Sequence, residues 1–132
     1  MKSSRKVEQD FGNSQHNTEW NPPAKLPDDY RIRLVLQWIE RDPSKTVSEL
    51  AHLLNLSGSR LGHLFRHQAG TDLESFLRHA RLDKAAELLR HTELSIKTIS
   101  ALVGYRHASS FDRGFKKKFA LEPIDYRRKH RP

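Results

Sequence analysis

The chain repeats itself once, and the repeat leaves few folds open. Leu50 aligns with Ile99, Leu54 with Val103 and Leu56 with Tyr105 at an offset of 49 residues. Past that point the offset becomes 50: Leu61 aligns with Phe111, Phe65 with Phe115, Arg66 with Lys116 and Gly70 with Ala120. Apolar, basic and chain-breaking positions recur together, which a chance periodicity would not produce. Within each copy the apolar residues fall at helical spacing. In the second, Ile96, Ile99 and Val103 line a short helix that Gly104 ends. Phe111, Phe115 and Phe119, four residues apart, then form a buried stripe on the next helix. The outer side of that helix carries Ser109, Arg113, Lys116 and Lys117. A short helix, a tight turn and a second helix with a polar, basic outer face is a helix-turn-helix, here present twice.

Helical patterns fill the rest. Asp28-Asp29 opens a helix whose inner face is Ile32, Val35, Leu36 and Ile39, and Arg41-Asp42-Pro43 ends it. Thr46-Val47-Ser48-Glu49 is a capping box, followed by Val47, Leu50, Ala51 and Leu54 facing inward. Asn55-Leu56 makes the turn, Ser57 caps the next helix, and Gly70 closes it. Thr71-Asp72-Leu73-Glu74 reads as a second capping box that starts the longest helix, running to about residue 91. Its apolar residues, Phe76, Leu77, Ala80, Leu82, Ala85, Ala86 and Leu89, occupy more than one face, which suits a helix touching two subdomains. Ser95 caps the first helix of the second copy, and Pro123 suits the first position of a last short helix ending near residue 130. No segment alternates at period two. The expected fold is all-α, with about seven helices: a unit at about 46–70, a linker helix at about 72–91 and a second unit at about 95–120. Residues 1–27, polar and broken by prolines, are expected to be a flexible arm ahead of a domain at 28–132.

Charge narrows the partner. The net charge is +8, and residues 1–27 supply only four Lys and Arg against three Asp and Glu. The remaining +7 lies on the expected domain and favours a polyanion, nucleic acid before an anionic membrane. No apolar run is long enough to span a bilayer, and the N-terminus lacks a secretory apolar segment. Cysteine is absent, which removes disulfides and thiolate metal sites. His63 and His67 stand at chelating spacing, but HLFRH lacks the metalloprotease glutamate and no carboxylate completes a set. No phosphate-cradling glycine loop and no nucleophile–base pair is present. No cofactor, metal, small-molecule site or enzymatic activity is expected.

The second copy also resembles the second helix-turn-helix of the AraC/XylS family of bacterial transcription regulators. Gly104-Tyr105, Phe111, Arg113, Phe115-Lys116-Lys117, Pro123 and Tyr126-Arg127 match that family's pattern, and Ala120 stands where the family usually has a left-handed glycine. Leu56 to Arg66, followed by Gly70, is similar to the family's first helix-turn-helix, so the resemblance covers about residues 29–128. It implies sequence-specific binding of double-stranded DNA in the bacterial cytoplasm, on the nucleoid, and activation through RNA polymerase. It leaves open a single-domain regulator or the DNA-binding fragment of a larger effector-responsive one. From another class, a basic helical protein could bind structured RNA or act as an architectural factor without sequence preference; the ratio of specific to nonspecific affinity separates these.

The outward faces supply the candidate contacts. In the first copy Ser59, Arg60, Gly62, His63, Arg66 and His67 point away from the buried side, and the family's base readers map to Ser59, Gly62 and His63. Glycine can read only by close approach, whereas His63 can donate or accept at a base edge; the alternative for His63 is a solvated surface histidine. In the second copy the readers map to Ala108, Ser109 and Arg113. Arg113 can bind guanine with two hydrogen bonds, unless a salt bridge with Asp112 or another acid holds it. Arg66, Lys116, Lys117, Arg127 and Arg128 are better suited to phosphates.

Overall fold

Every helix starts after a residue with extended backbone, and for the first five that residue's side chain meets an orphaned N–H group of the first turn. The computed structural model describes residues 26–131, so all but the end of the expected arm lies outside the described residues. Seven helices follow one another: α1 (Tyr30–Arg41), α2 (Val47–Leu53), α3 (Gly58–Ala69), α4 (Leu73–His91), α5 (Ile96–Leu102), α6 (Ala108–Phe119) and α7 (Pro123–Lys129). No strand occurs among the described residues. Asp29, Thr46, Ser57, Asp72 and Ser95 cap α1 to α5 with their side chains. The Thr46 box closes in both directions, Glu49 N–H donating to Thr46 Oγ1 at 3.1 Å and Thr46 N–H to Glu49 Oε1 at 2.8 Å. The box expected at Thr71 does not form. Asp72 is the cap of α4, accepting from Ser75 N–H at 3.1 Å, and the helix starts one residue later than that box required. A carboxylate at the positive helix end outcompetes the neighbouring threonine.

The repeat is deeper than the two helix-turn-helix units. α2 and α5 superpose in number at an offset of 49, and α3 and α6 at 50, with Arg106 as the extra residue before the N-cap His107. The pattern of buried and exposed positions over 61–73 is the same as over 111–123. The edge-on pair of Phe65 and Phe76, 5.4 Å apart, returns as Phe115 and Tyr126, 5.2 Å apart. Buried Ile32, Val35 and Ile39 of α1 have their counterparts in buried Leu82, Ala85 and Leu89 of α4. The second half of α4 is therefore the first helix of unit 2, while its first half is the last helix of unit 1.

Two cores result. One joins Ile32, Val35, Ile39, Leu50, Ala51, Leu61 and Phe65 to Leu73 and Leu77 of α4. The other joins Leu82, Ala85, Ala86 and Leu89 of α4 to Ile99, Val103, Phe111, Phe115 and Tyr126. At about 100° per residue, the Leu73–Leu77 face and the Leu82–Leu89 face lie on opposite sides of the helix. That reversal explains why α4 reads as apolar all round.

Gly70 and Ala120 close α3 and α6 in the same left-handed conformation, with φ of 76° and 66°, and each donates its N–H four residues back. Alanine thus adopts the cap that glycine takes in unit 1. The left-handed conformation costs an L-residue roughly 1–2 kcal/mol, partly offset by the entropy a glycine adds to the unfolded chain. Ala120→Gly should therefore stabilise the protein by about 0.5–1 kcal/mol, and Gly70→Ala should destabilise it by a similar amount. Urea unfolding of the two variants measures both; an Ala120→Gly protein less stable than wild type would overturn the strain assigned to this cap.

Candidate nucleic-acid interface

α3 and α6 each bury one side on their own core and leave the other in water. On α3, Leu61 and Phe65 are fully buried, while Ser59, Arg60, His63, Arg66 and His67 are exposed and Gly62 is half-buried between them. At 100° per residue Ser59, Gly62, His63 and Arg66 share one side, with Arg60 and His67 on its flank. On α6, Phe111 and Phe115 are fully buried; Ala108, Ser109, Arg113, Lys116 and Lys117 are exposed, with Asp112 half-buried among them. Ser109, Asp112, Arg113 and Lys116 occupy the turn-by-turn counterparts of Ser59, Gly62, His63 and Arg66. Ser59, Gly62 and His63 thus gather on one side of α3 and Ser109 and Arg113 on one side of α6, whereas Ala108, exposed at the start of α6, falls by the same spacing toward the side of Phe111 and Phe115. A Cβ added at Gly62 would meet nothing within 4 Å, so its bareness is not required by packing.

The cations differ in how free they are. Arg113 makes no ion pair among the described residues, so the expected competition from Asp112 is not realised. Lys116 lies 4.0 Å from Glu122 and Arg128 3.2 Å from Asp125, both pairs largely exposed and worth little. Arg127 is different. Its guanidinium donates from Nε to Leu89 O and from Nη2 to Thr92 O, both at 3.1 Å, and so caps the C-terminal end of α4. A planar fork bridging two carbonyls at the negative end of a helix is a structural role, and it takes Arg127 out of the phosphate set. Arg131 repeats the role beside it, donating to Thr92 O and pairing with Glu93.

Lys118, not among the expected contacts, points inward. Its side chain is 11% exposed, and Nζ lies 2.9 Å from Asp83 Oδ1 and 3.0 Å from His79 Nδ1, both on α4. Helical spacing could have revealed it, because position 118 falls on the same side as Phe111 and Phe115. Its counterpart Gln68 makes the equivalent tie in unit 1, Oε1 accepting from Asp29 N–H at 2.9 Å. Burial first, and then the charges of Lys118 and Arg78, hold His79 down to about 3 from an ordinary 6.5. Neutral His79 can accept from the Lys118 ammonium; protonated, it cannot. Among the described residues no three His, Asp or Glu side chains gather as a metal site, and no helix is long and apolar enough to cross a membrane.

Known proteins share both the sequence and the fold. A family model described as a helix-turn-helix domain matches residues 50–129. The arabinose operon regulatory protein of Escherichia coli is 35% identical over 110 residues, which are 81% of this chain and 38% of that protein. The raffinose operon transcriptional regulatory protein RafR of Pediococcus pentosaceus is 30% identical over 106 residues, 79% of this chain and 38% of its own. The chain thus spans well under half the length of these relatives. Among solved structures, the C-terminal domain of AraT, a response regulator from Geobacillus stearothermophilus, matches with a TM-score of 0.70 at 32% identity, covering 79% of this chain and 88% of that one. The DNA-binding domain of AdpA, solved in complex with a target DNA, shares the fold with a TM-score of 0.67 at 20% identity, over 76% and 92% of the two chains.

The His79 shift carries a pH consequence. The folded value lies below the unfolded one, so the unfolded chain takes up the proton first. The stability that neutral His79 confers is present above pH 6.5 and is lost as pH falls from there toward 3. Thermal unfolding should show Tm dropping between pH 7 and pH 5, with a smaller drop in His79→Gln. Equal drops in the two proteins would contradict the assignment of that slope to His79.

Proposed function

Since the chain belongs to the AraC-type helix-turn-helix family of DNA-binding transcription regulators, we propose that it binds one asymmetric DNA site as a monomer, with α3 and α6 in successive major grooves. Its relatives are regulators and its fold is a DNA-binding one, not an enzyme's. The observation that carries the monomer reading is the repetition itself. Two units with the same buried side and the same outward side hang from one continuous helix, so a single chain presents two recognition surfaces. Successive grooves on one face of DNA are about 34 Å apart, a separation that dimeric proteins reach with two chains.

Within that reading the outward residues divide by chemistry. Ser59, Gly62 and His63 read bases from α3, with Arg60 on the flank; Ala108, Ser109 and Arg113 read from α6. Small residues at Ala108 and Ser109 leave Arg113 as the strongest reader of its unit and give DNA shape a larger share there. Arg66, Lys116, Lys117 and Arg128 hold phosphates. The protein works in the cytoplasm on the nucleoid, and activation through contact with RNA polymerase is the role its family suggests. Sensing of an effector, where it occurs, belongs to a part of a longer regulator.

Affinity for the preferred and a scrambled duplex across a salt series tests the division. The preferred duplex comes from selection on a random library. Arg113→Ala should cost about 1–3 kcal/mol on the preferred site and relax selection at one or two base pairs. Lys117→Ala should weaken both duplexes alike and lower the salt slope by about one. Equal losses on the two duplexes for Arg113→Ala would remove it from the readers. Sedimentation of the saturated complex should give one protein per duplex; a strict two-to-one complex on a palindrome would contradict the monomer reading.

A further inference from the structure

Beside α4 the two units approach each other closely at Gly104. Unit 2 offers Gly104, in the turn between α5 and α6; unit 1 offers Ser44, in the loop between α1 and α2, and Arg81 of α4 lies against both. A Cβ built on Gly104 would stand 2.9 Å from Ser44 Cα, 3.1 Å from Arg81 Nε and 3.3 Å from Ser44 Cβ. The first distance is to backbone, which cannot swing aside as a side chain can. That backbone is also held. Asp42 Oδ1 accepts from Ser44 N–H at 3.1 Å and from Ser44 Oγ at 2.6 Å. From the other side Arg81 donates Nε to Pro43 O at 2.8 Å and Nη2 to Lys45 O at 2.9 Å.

The repeat supplies an internal control. The turn position equivalent to Gly104 is Asn55, which takes positive φ at 58° with its side chain exposed. Asparagine tolerates the left-handed region near that φ, whereas the φ at Gly104 strains any side chain whatever the space around it, and the contact with Ser44 adds to that strain. Gly104 has φ of 106° and, unlike Asn55, a second unit pressed against it. Arg81 has its own counterpart in Arg131, which holds the loop after α4 through one carbonyl, Thr92 O, and the Glu93 carboxylate.

We propose that the seat of Gly104 on Ser44 and Arg81 is a latch that sets the angle between the two recognition helices, and so determines which separation of half-sites the protein binds tightly. Gly104 and Arg81 are positioning residues for specificity and touch no base. The inference rests on the two-groove reading above. A side chain at 104 wedges the units apart about α4. Loss of Arg81 frees the loop that receives Gly104 without altering unit 2. In either case both recognition surfaces survive and their mutual geometry does not.

The test uses Gly104→Asn and Arg81→Ala, with Asn55→Gly as the control at the unlatched turn. Affinity is measured on the selected duplex, on duplexes with base pairs inserted or removed between its halves, and on a duplex carrying the α6 half alone. Wild type should show a sharp optimum in spacing. Both latch variants should lose on the order of tenfold at that optimum, because the second unit no longer arrives pre-placed. They should flatten or shift the spacing profile while binding the α6 half as wild type does; Asn55→Gly should keep the wild-type profile. The chain has no cysteine, so Gln37→Cys and Lys129→Cys, at exposed sites in the two units, allow spin labels to report the inter-unit distance without DNA. That distribution should be narrow in wild type and broader or displaced in the latch variants. Unchanged distances and an unchanged spacing profile in Arg81→Ala would overturn the latch, even where Gly104→Asn proves too strained to fold. A wild-type protein indifferent to spacing would instead overturn the two-groove reading, and the label distances would still decide the latch.

Discussion

The reversal of the apolar face along α4 is the constraint on which the rest depends. A helix that buries Leu73 and Leu77 on one side and Leu82, Ala85, Ala86 and Leu89 on the other cannot be satisfied by one unit. Each unit completes its core with a different half of the same rod. Exposing either half would return two leucines to water, at about 1.5–3 kcal/mol for each one fully re-exposed. The two units are therefore held in one piece by the hydrophobic effect, and they also touch directly beside Gly104. An unbroken α-helix adds stiffness that a flexible linker would lack.

Much of this was legible because caps and core spacing are local. The Thr46–Glu49 box, the Ser57 and Ser95 caps and the phenylalanine stripe each depend on residues within two helical turns, and each forms as read, save that Phe119 at the end of the stripe is only half-buried. The reach of the repeat into α1 and α4 was harder to see. Ala85 and Ala86 stand where α1 has Val35 and Leu36, and the reversal of faces hides the period of α4. Asp72 displaced Thr71 because both residues can cap and only the position of the first turn separates them. Spacing could show that Lys118 points inward, but the partners of Lys118 and Arg127 were out of reach for another reason. Each charge is satisfied by a group 35 or more residues away, His79 and Asp83 for one, Leu89 and Thr92 for the other. Formal charge counts such residues as available to DNA when they are already occupied.

This partition of cations changes what the basic composition means. Arg81, Arg127 and Arg131 all bind backbone carbonyls in loops or at helix ends, a task for which a planar fork suits arginine better than lysine. Lys118 neutralises a carboxylate on α4. The net charge still draws the protein toward a polyanion at long range, since the field depends on the sum of charges. Close contact depends on the exposed subset, and that subset is concentrated on the outer sides of α3 and α6 and at the end of α7.

The two units share an architecture and differ on the surface that matters for binding. The outer side of α3 presents Ser59, Gly62 and His63 ahead of a single arginine, Arg66; that of α6 presents Ser109, Asp112 and Arg113 ahead of Lys116 and Lys117. The buried positions under both faces are nearly the same, so folding places no demand that the outer faces diverge. On the proposed docking, that divergence is what makes the preferred site asymmetric. On that docking, the glycine would let α3 approach the bases closely while reading little by itself, and Arg113 would read from a longer reach. The second unit would then carry more of the phosphate grip, through Lys116 and Lys117, and the first would rely more on close fit. An asymmetric site fixes the direction in which the protein lies on DNA, which a symmetric dimer cannot do. A regulator that must face one way toward a promoter needs that direction, and on the monomer reading it would be built into one chain by two copies of a unit with like cores and unlike outer faces.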